Sequence, residues 1–258
     1  MKRVFEEALR AMESGRASAL VLLTKKEGSS ARDPGAMMLV LEDGSTVDTV
    51  GGGILEERLK EEALNAIRDG KTRNISFALD ETSKGDLNLY CGGKVEFAVI
   101  PLYPQEKLYI FGGGHVSRAL VRIAGPLGFR ITVIDDREEF ARKDSYPGAF
   151  EVLHADYSEF ARNLEADNWT YVVIATENHE NDFRALIELI EKPFVYIGML
   201  GSKRKLETFK KRMNERQLKL LERLSNPIGL DIGAETPEEI AVSIAAELVK
   251  TRRSRYGS

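Results

Sequence analysis

A chain of 258 residues with 43% hydrophobic and 30% charged content can build two modest domains or one large one, with a real core and a well-solvated surface. A net charge of −4 gives no global pull toward nucleic acid or an anionic membrane, and no apolar run reaches the length of a membrane span. The single cysteine, Cys91, excludes an internal disulfide framework and fits a reducing, cytoplasmic setting.

In chain order, residues 4–12 predict a helix with Val4, Phe5, Ala8, Leu9 and Met12 on one face, too charged for a signal peptide. Residues 19–24 predict a strand and 25–35 a polar loop punctuated by Gly28, Pro34 and Gly35. Strands over 36–41 and 46–50 join through Glu42-Asp43-Gly44, a hairpin signal. Gly51, Gly52 and Gly53 then lead straight into a helix over 54–69 that Gly70 closes. Such a turn is either an anion seat or a crowded backbone crossing, and both readings stand. A strand over 74–79 and a polar loop over 80–89 follow. Cys91-Gly92-Gly93 then precedes a strand over 94–101. Residues 103–106 read as a linker. The predicted organisation is therefore a small N-terminal α+β domain over 1–104 and a larger domain over 105–258.

The second half opens with its most informative stretch, residues 107–137. A buried strand over 108–111 meets Gly112, Gly113 and Gly114, then a helix carrying Val116, Ala119, Leu120 and Ile123 that Gly128 closes. A second buried strand, 131–134, ends at Asp135, about twenty residues past the glycines, where a ribose-binding acid stands in dinucleotide folds. Glycines let a ligand approach bare N–H groups, and the helix behind them presents its positive end. The third glycine of the fingerprint is replaced by Ser117, which still permits close helix–strand packing.

A polar helix is expected to begin over 137–141. Strands over 151–154, 171–175 and 194–197 then alternate with helices over 158–164 and 181–190. This rhythm predicts an α/β fold with a C-terminal Rossmann-like parallel sheet. After the last strand, Gly198 to Lys205 supplies two glycines, a serine and three cations at a helix start. Gly201, Ser202 and Lys203 thus make a third anion-binding candidate, against the plainer reading of a solvated helix end. A single charged helix is expected over 206–224. Thr236-Pro237-Glu238-Glu239 then starts a helix to about Val249.

His115 follows the glycine turn and His179 lies at the carboxyl end of a strand, so the two are placed to face one crevice; the plainer reading is local capping. No zinc-type spacing occurs. Cys91, beside glycines and near Lys94, reads equally as an exposed thiol able to meet a soft metal and as a buried filler.

Several blocks together carry a resemblance across nearly the whole chain. They are Gly28-Ser29-Ser30, Pro34 to Met38, Gly51-Gly52-Gly53 with Glu56, Cys91-Gly92-Gly93, Gly112 to Val116, Asp135-Asp136-Arg137, Ile197 to Lys203, and Pro227 to Asp231 with Ala246-Glu247. The chain resembles the xanthine dehydrogenase accessory proteins of the XdhC/CoxI family. It departs at Thr176-Glu177, where the family often has a Thr-Arg pair. The resemblance implies a chaperone, rather than a catalyst, that binds the molybdenum cofactor (molybdopterin). It implies work beside a cysteine desulfurase that sulfurates the metal, and delivery to a molybdenum hydroxylase such as xanthine dehydrogenase. Neither nucleic acid nor a membrane is an expected partner, and a homodimer is compatible. Gly51 to Gly53, Gly112 to His115, Asp135 and Gly201 to Lys203 are the expected cofactor-binding residues. Cys91 is the expected molybdenum contact, and a cleft between the two halves the expected location. The rival reading is an NAD(P)-dependent oxidoreductase built on the Gly112–Asp135 unit alone.

Overall fold

The computed structural model describes residues 1–28, 32–80, 87–88 and 93–255. They fall into two compact units, one built on Met1–Pro104 and the other on Gln105–Ser254.

The first unit contains α1 (Lys2–Glu13), β1 (Ser18–Gly28), β2 (Met37–Leu41), β3 (Thr46–Val47), α2 (Gly53–Asp69), β4 (Arg73–Asp80), β5 (Leu87–Asn88) and β6 (Gly93–Leu102). Its sheet runs β3-β2-β1-β6-β4-β5 and is antiparallel except for the β4–β5 pair. Alternation along β2 shows why both faces are covered. Met38 and Val40 join the core beneath α2, while Leu39 and Leu41 join a second core beneath α1.

Two expectations change here. Helix α1 buries Val4, Ala8 and Ala11, whereas Phe5 and Leu9 are 47% and 56% exposed. The row of two alanines and a valine lets the helix lie close to the sheet, and the neighbouring bulky row is left outside. The polar stretch after Thr24 is not a loop up to Gly28. It continues as strand because β6 supplies a ladder partner out to Gly28↔Gly93, past an irregularity between Leu23 and Lys25.

The second unit contains β7 (Lys107–Phe111), α3 (His115–Ala124), β8 (Arg130–Asp135), β9 (Glu151–His154), α4 (Tyr157–Asn163), β10 (Thr170–Ile174), α5 (His179–Leu189), β11 (Tyr196–Met199), α6 (Lys203–Lys210), α7 (Glu215–Leu220), β12 (Leu224–Ser225) and α8 (Pro237–Ser254). All six strands are parallel, in the order β12-β11-β10-β7-β8-β9. This is the doubly wound order, with its switch point between β7 and β10. Leu108 and Ile110 of β7 face the core under α3 and α8, and Phe111 faces the core under α4 and α5.

Three local expectations fail in this unit. Residues 137–141 form turns, followed by a short 3₁₀ segment at Lys143–Ser145, because Arg137 folds back onto Asp135. Helix α3 ends at Ala124 with Gly125 as its cap, and Gly128 closes the next turn at φ 90°. The single helix over 206–224 is broken. Asn214 starts α7 through a reciprocal capping box with Gln217.

Candidate functional site

The three glycine turns differ once side chains are in place. In the first unit, Glu56 turns back from the first turn of α2, and its Oε1 accepts from the amides of Val50, Gly51 and Gly52 at 2.8, 3.2 and 2.9 Å. The Thr49 hydroxyl donates to the same oxygen. Burial raises the Glu56 carboxyl's pKa, but the hydroxyl and three amides outweigh it, so the net shift is downward. The Gly51 and Gly52 amides therefore already hold an anion, and it belongs to the protein. Gly53 is the first residue of α2 and is exposed.

The β7–α3 turn is likewise engaged. Gly112 must be glycine because a Cβ there would collide with the Ala175 carbonyl oxygen across the switch point. Gly113 donates to Asp135 Oδ2 at 2.6 Å, and its carbonyl oxygen lies 2.6 Å from the Tyr146 hydroxyl. Gly114 is different. It is the N-cap of α3, with extended backbone and nothing within 4 Å of where a Cβ would stand.

Asp135 is 0% exposed and points inward. Its carboxylate takes the Gly113 amide and the Arg137 amide, and it pairs with the Arg137 guanidinium at 2.8–2.9 Å. Burial raises its pKa; the bonds from Arg137 and Gly113 outweigh that and hold it below the usual carboxylate range. The next acid, Asp136, shifts upward through burial, then through the charges of Glu177 and Asp135.

His115 and His179 are both exposed and each opens a helix at the switch point. His154 is exposed and bonded to the Asp136 carbonyl. Cys91 lies outside the described residues. Among the described residues no cluster of histidine, cysteine or acidic side chains could hold a metal ion.

The third turn opens onto space. A cavity of about 620 Å³ lies beyond the carboxyl end of β11, lined by Gly201, Ser202 and Lys203 on one side and by residues 227–234 on the other. Leu200, Pro227, Ile228, Leu230 and Ile240 give it apolar walls, and Asp231 adds one acid. Ser202 is the N-cap of α6 and accepts from the Lys205 amide. Lys203 is exposed at the rim. The volume falls within the range of small-molecule sites, ~300–1,000 Å³.

The far wall is held by α8. Glu247 accepts from Tyr196, Ser225 and the Gly229 amide at 2.5, 2.6 and 2.6 Å. Gly229 sits at φ 95°, and a Cβ there would collide with the Ser243 hydroxyl, so the loop presses directly on the helix. Beneath the near side, Lys205 bonds Asp182 and the Leu200 carbonyl, while Asp182 also accepts from Thr176. This buried pair joins the loop after β10 to the loop after β11.

Sequence reasoning did not single out Lys205, Asp182, Tyr146 or residues 232–234. A buried lysine is invisible in a run of three cations, and nothing local marks the acid 23 residues earlier as its partner. Glu56 did carry a signal, an acid four residues after the N-cap, where it can reach back over the turn.

Taken together, the protein is a two-unit α/β protein whose larger unit is Rossmann-like, with an open cavity under the β11–α6 and β12–α8 loops. The family profile described as the XdhC Rossmann domain matches residues 108–248, and that of the XdhC and CoxI family matches residues 11–78. The chain belongs to the XdhC/CoxI family. It is 34% identical over 98% of its length to the uncharacterized protein YqeB of Escherichia coli (strain K12), covering 47% of that protein. It is 29% identical over 58% of its length to a probable xanthine dehydrogenase subunit of Bacillus subtilis (strain 168), covering 44% of it. It is 32% identical over 42% of its length to the molybdenum cofactor insertion chaperone PaoD of E. coli (strain K12), covering 33%. The chain thus spans less than half the length of these curated relatives. A solved structure described as a xanthine dehydrogenase from Bacillus halodurans shares the fold, with a TM-score of 0.56 at 24% identity over 98% of this chain and 96% of that one. No helix among the described residues is long and apolar enough to cross a membrane.

Proposed function

We propose that this protein is an accessory factor for a molybdenum hydroxylase and holds the molybdenum cofactor in the cavity under the β11–α6 loop. The observation that carries the reading is that cavity, inside the unit matched by the XdhC Rossmann profile. Its surface suits the organic part of the cofactor. Ser202, Lys203 and the start of α6 offer donors and positive charge to a phosphate. The apolar walls offer a bed for a flat ring system. The proposed molybdenum contact is Cys91, which lies outside the described residues. The cofactor itself supplies the redox chemistry of the hydroxylase; this chain's residues bind, orient and shield it.

The finer steps of the proposal are sulfuration beside a cysteine desulfurase and hand-over to a xanthine dehydrogenase-like enzyme. The relative named as a molybdenum cofactor insertion chaperone supports hand-over by analogy. The test loads the full chain with molybdenum cofactor and measures retention after gel filtration, then activation of an apo-hydroxylase. Lys203→Ala with Ser202→Ala should weaken retention at least tenfold, with a stability loss of only about 1 kcal/mol from the missing α6 cap. Equal retention by wild type and double variant would remove this cavity from the proposal. Absence of retention by the wild-type chain would end it.

A further inference from the structure

The doubly wound fold brings an expectation of its own. A dinucleotide lies across the switch point, with its pyrophosphate on the first glycine turn and its ribose on the acid ending the second strand. The residues present do not fit that group. Asp135, the acid in the ribose position, is 0% exposed, and both its oxygens are engaged by Gly113 and Arg137. The space beside Gly113 is filled. The Tyr146 hydroxyl bridges the Gly113 and Phe140 carbonyls at 2.6 and 2.8 Å, and the Arg137 guanidinium lies 3.9 Å over the Phe140 ring. The Arg118 guanidinium approaches the Phe140 and Tyr146 rings from α3.

The charge is also wrong for a pyrophosphate. Asn181 bridges Asp136 and Glu177 at 3.0 and 2.6 Å, so two further carboxylates stand beside Asp135 at the edge where the phosphates would lie. Arg137 is the cation paired with this group, and Asp135 already holds it. The upward shift of Asp136 has the crowding of Glu177 and Asp135 among its causes, after burial.

We propose that the β7–α3 turn is closed to NAD(P) by the protein's own side chains: Asp135 takes the Gly113 amide, and the segment 137–146 covers the place of the adenosine half. Gly112 and Gly113 serve close packing of the turn, and ligand binding in this unit is displaced toward β11. The two turns are separated by β10, so the shift is about 10 Å along the sheet edge. This inference does not depend on the identity of the cofactor held elsewhere.

The test titrates the full chain with NADH and with NADPH, following nicotinamide fluorescence and calorimetric heat. Two variants aimed at the turn accompany it, Gly114→Val and His115→Asp. Gly114 has room for a side chain, and His115 is exposed at a helix start that accepts an acid. The expected result is no saturable binding by wild type up to ~1 mM, the weak end of specific affinity. Saturable binding that either folded variant reduces tenfold would overturn the proposal. Binding that both leave within twofold would place the nucleotide elsewhere and uphold the closure. Amide exchange gives an independent reading: Gly113 should exchange slowly, and exchange at the free-peptide rate would overturn the clamp.

Discussion

Lys205 and Asp182 form an ion pair whose side chains are only 5% and 3% exposed. The pair lies on two helices that follow neighbouring strands, and each partner also grips a loop, Lys205 through the Leu200 carbonyl and Asp182 through Thr176. Removing one partner strands a buried charge. Lys205→Met is therefore expected to cost about 3–5 kcal/mol in urea unfolding. Adding Asp182→Leu should restore part of that loss. A double variant no better than the sum of the two single ones would show that the charges are not coupled.

Asp135 gives a pH-dependent signature. Its folded pKa lies below the usual value, so its stabilisation is complete above about pH 5 and is lost as pH falls through the folded value. Asp135→Asn should cost about 1–3 kcal/mol at neutral pH, since the Arg137 guanidinium loses its counterion. The gap between wild type and variant should close in acid. A urea-melt series in which the gap widens as pH falls would contradict this assignment.

The three glycines of the β7–α3 turn should not tolerate change equally. Gly112→Ala places a Cβ against the Ala175 carbonyl and Gly113→Ala against the Tyr146 hydroxyl, so each should lower stability by about 2 kcal/mol or more. Gly114→Ala meets open space and should cost under ~1 kcal/mol. Thermal melts of the three variants read the order directly, and equal losses would refute the packing account.

Much of this fold is legible in the sequence. The second unit's strands announce themselves because they are buried on both faces and read as apolar runs, as Ile131 to Ile134 does. The glycine turns are visible too. What they hold is not. Whether an amide faces a ligand or a carboxylate such as Glu56 or Asp135 depends on side-chain reach, and spacing does not encode it. The cavity wall is harder still. Ile228 to Ala234 carries no periodic signal, and its placement depends on Glu247, many residues later. The break at Asn214 is readable as a capping box but is masked by the charge pattern running through it.

The Glu56 nest offers a further check. Glu56→Ala leaves three amides and a hydroxyl without their acceptor and should cost about 1–3 kcal/mol. Glu56→Gln keeps a carbonyl oxygen in reach and should cost less. If both variants match wild type in chemical denaturation, water replaces the carboxylate at no penalty.

Cys91 is tested by function alone. Cys91→Ala should leave cofactor retention in the C-terminal cavity within about twofold while lowering activation of the hydroxylase, if the thiol meets the metal as proposed. Full activation by the variant would remove Cys91 from the role.

Glu247 ties β11, the residue ending β12 and the Gly229 loop to α8. The cavity wall formed by residues 227–234 is incomplete without α8, which supplies Ile240 and Ser243 to the lining and holds Gly229 through Glu247. On the proposed role, a polypeptide truncated before α8 should therefore retain no cofactor, because it lacks that part of the lining and the anchor of the Gly229 loop.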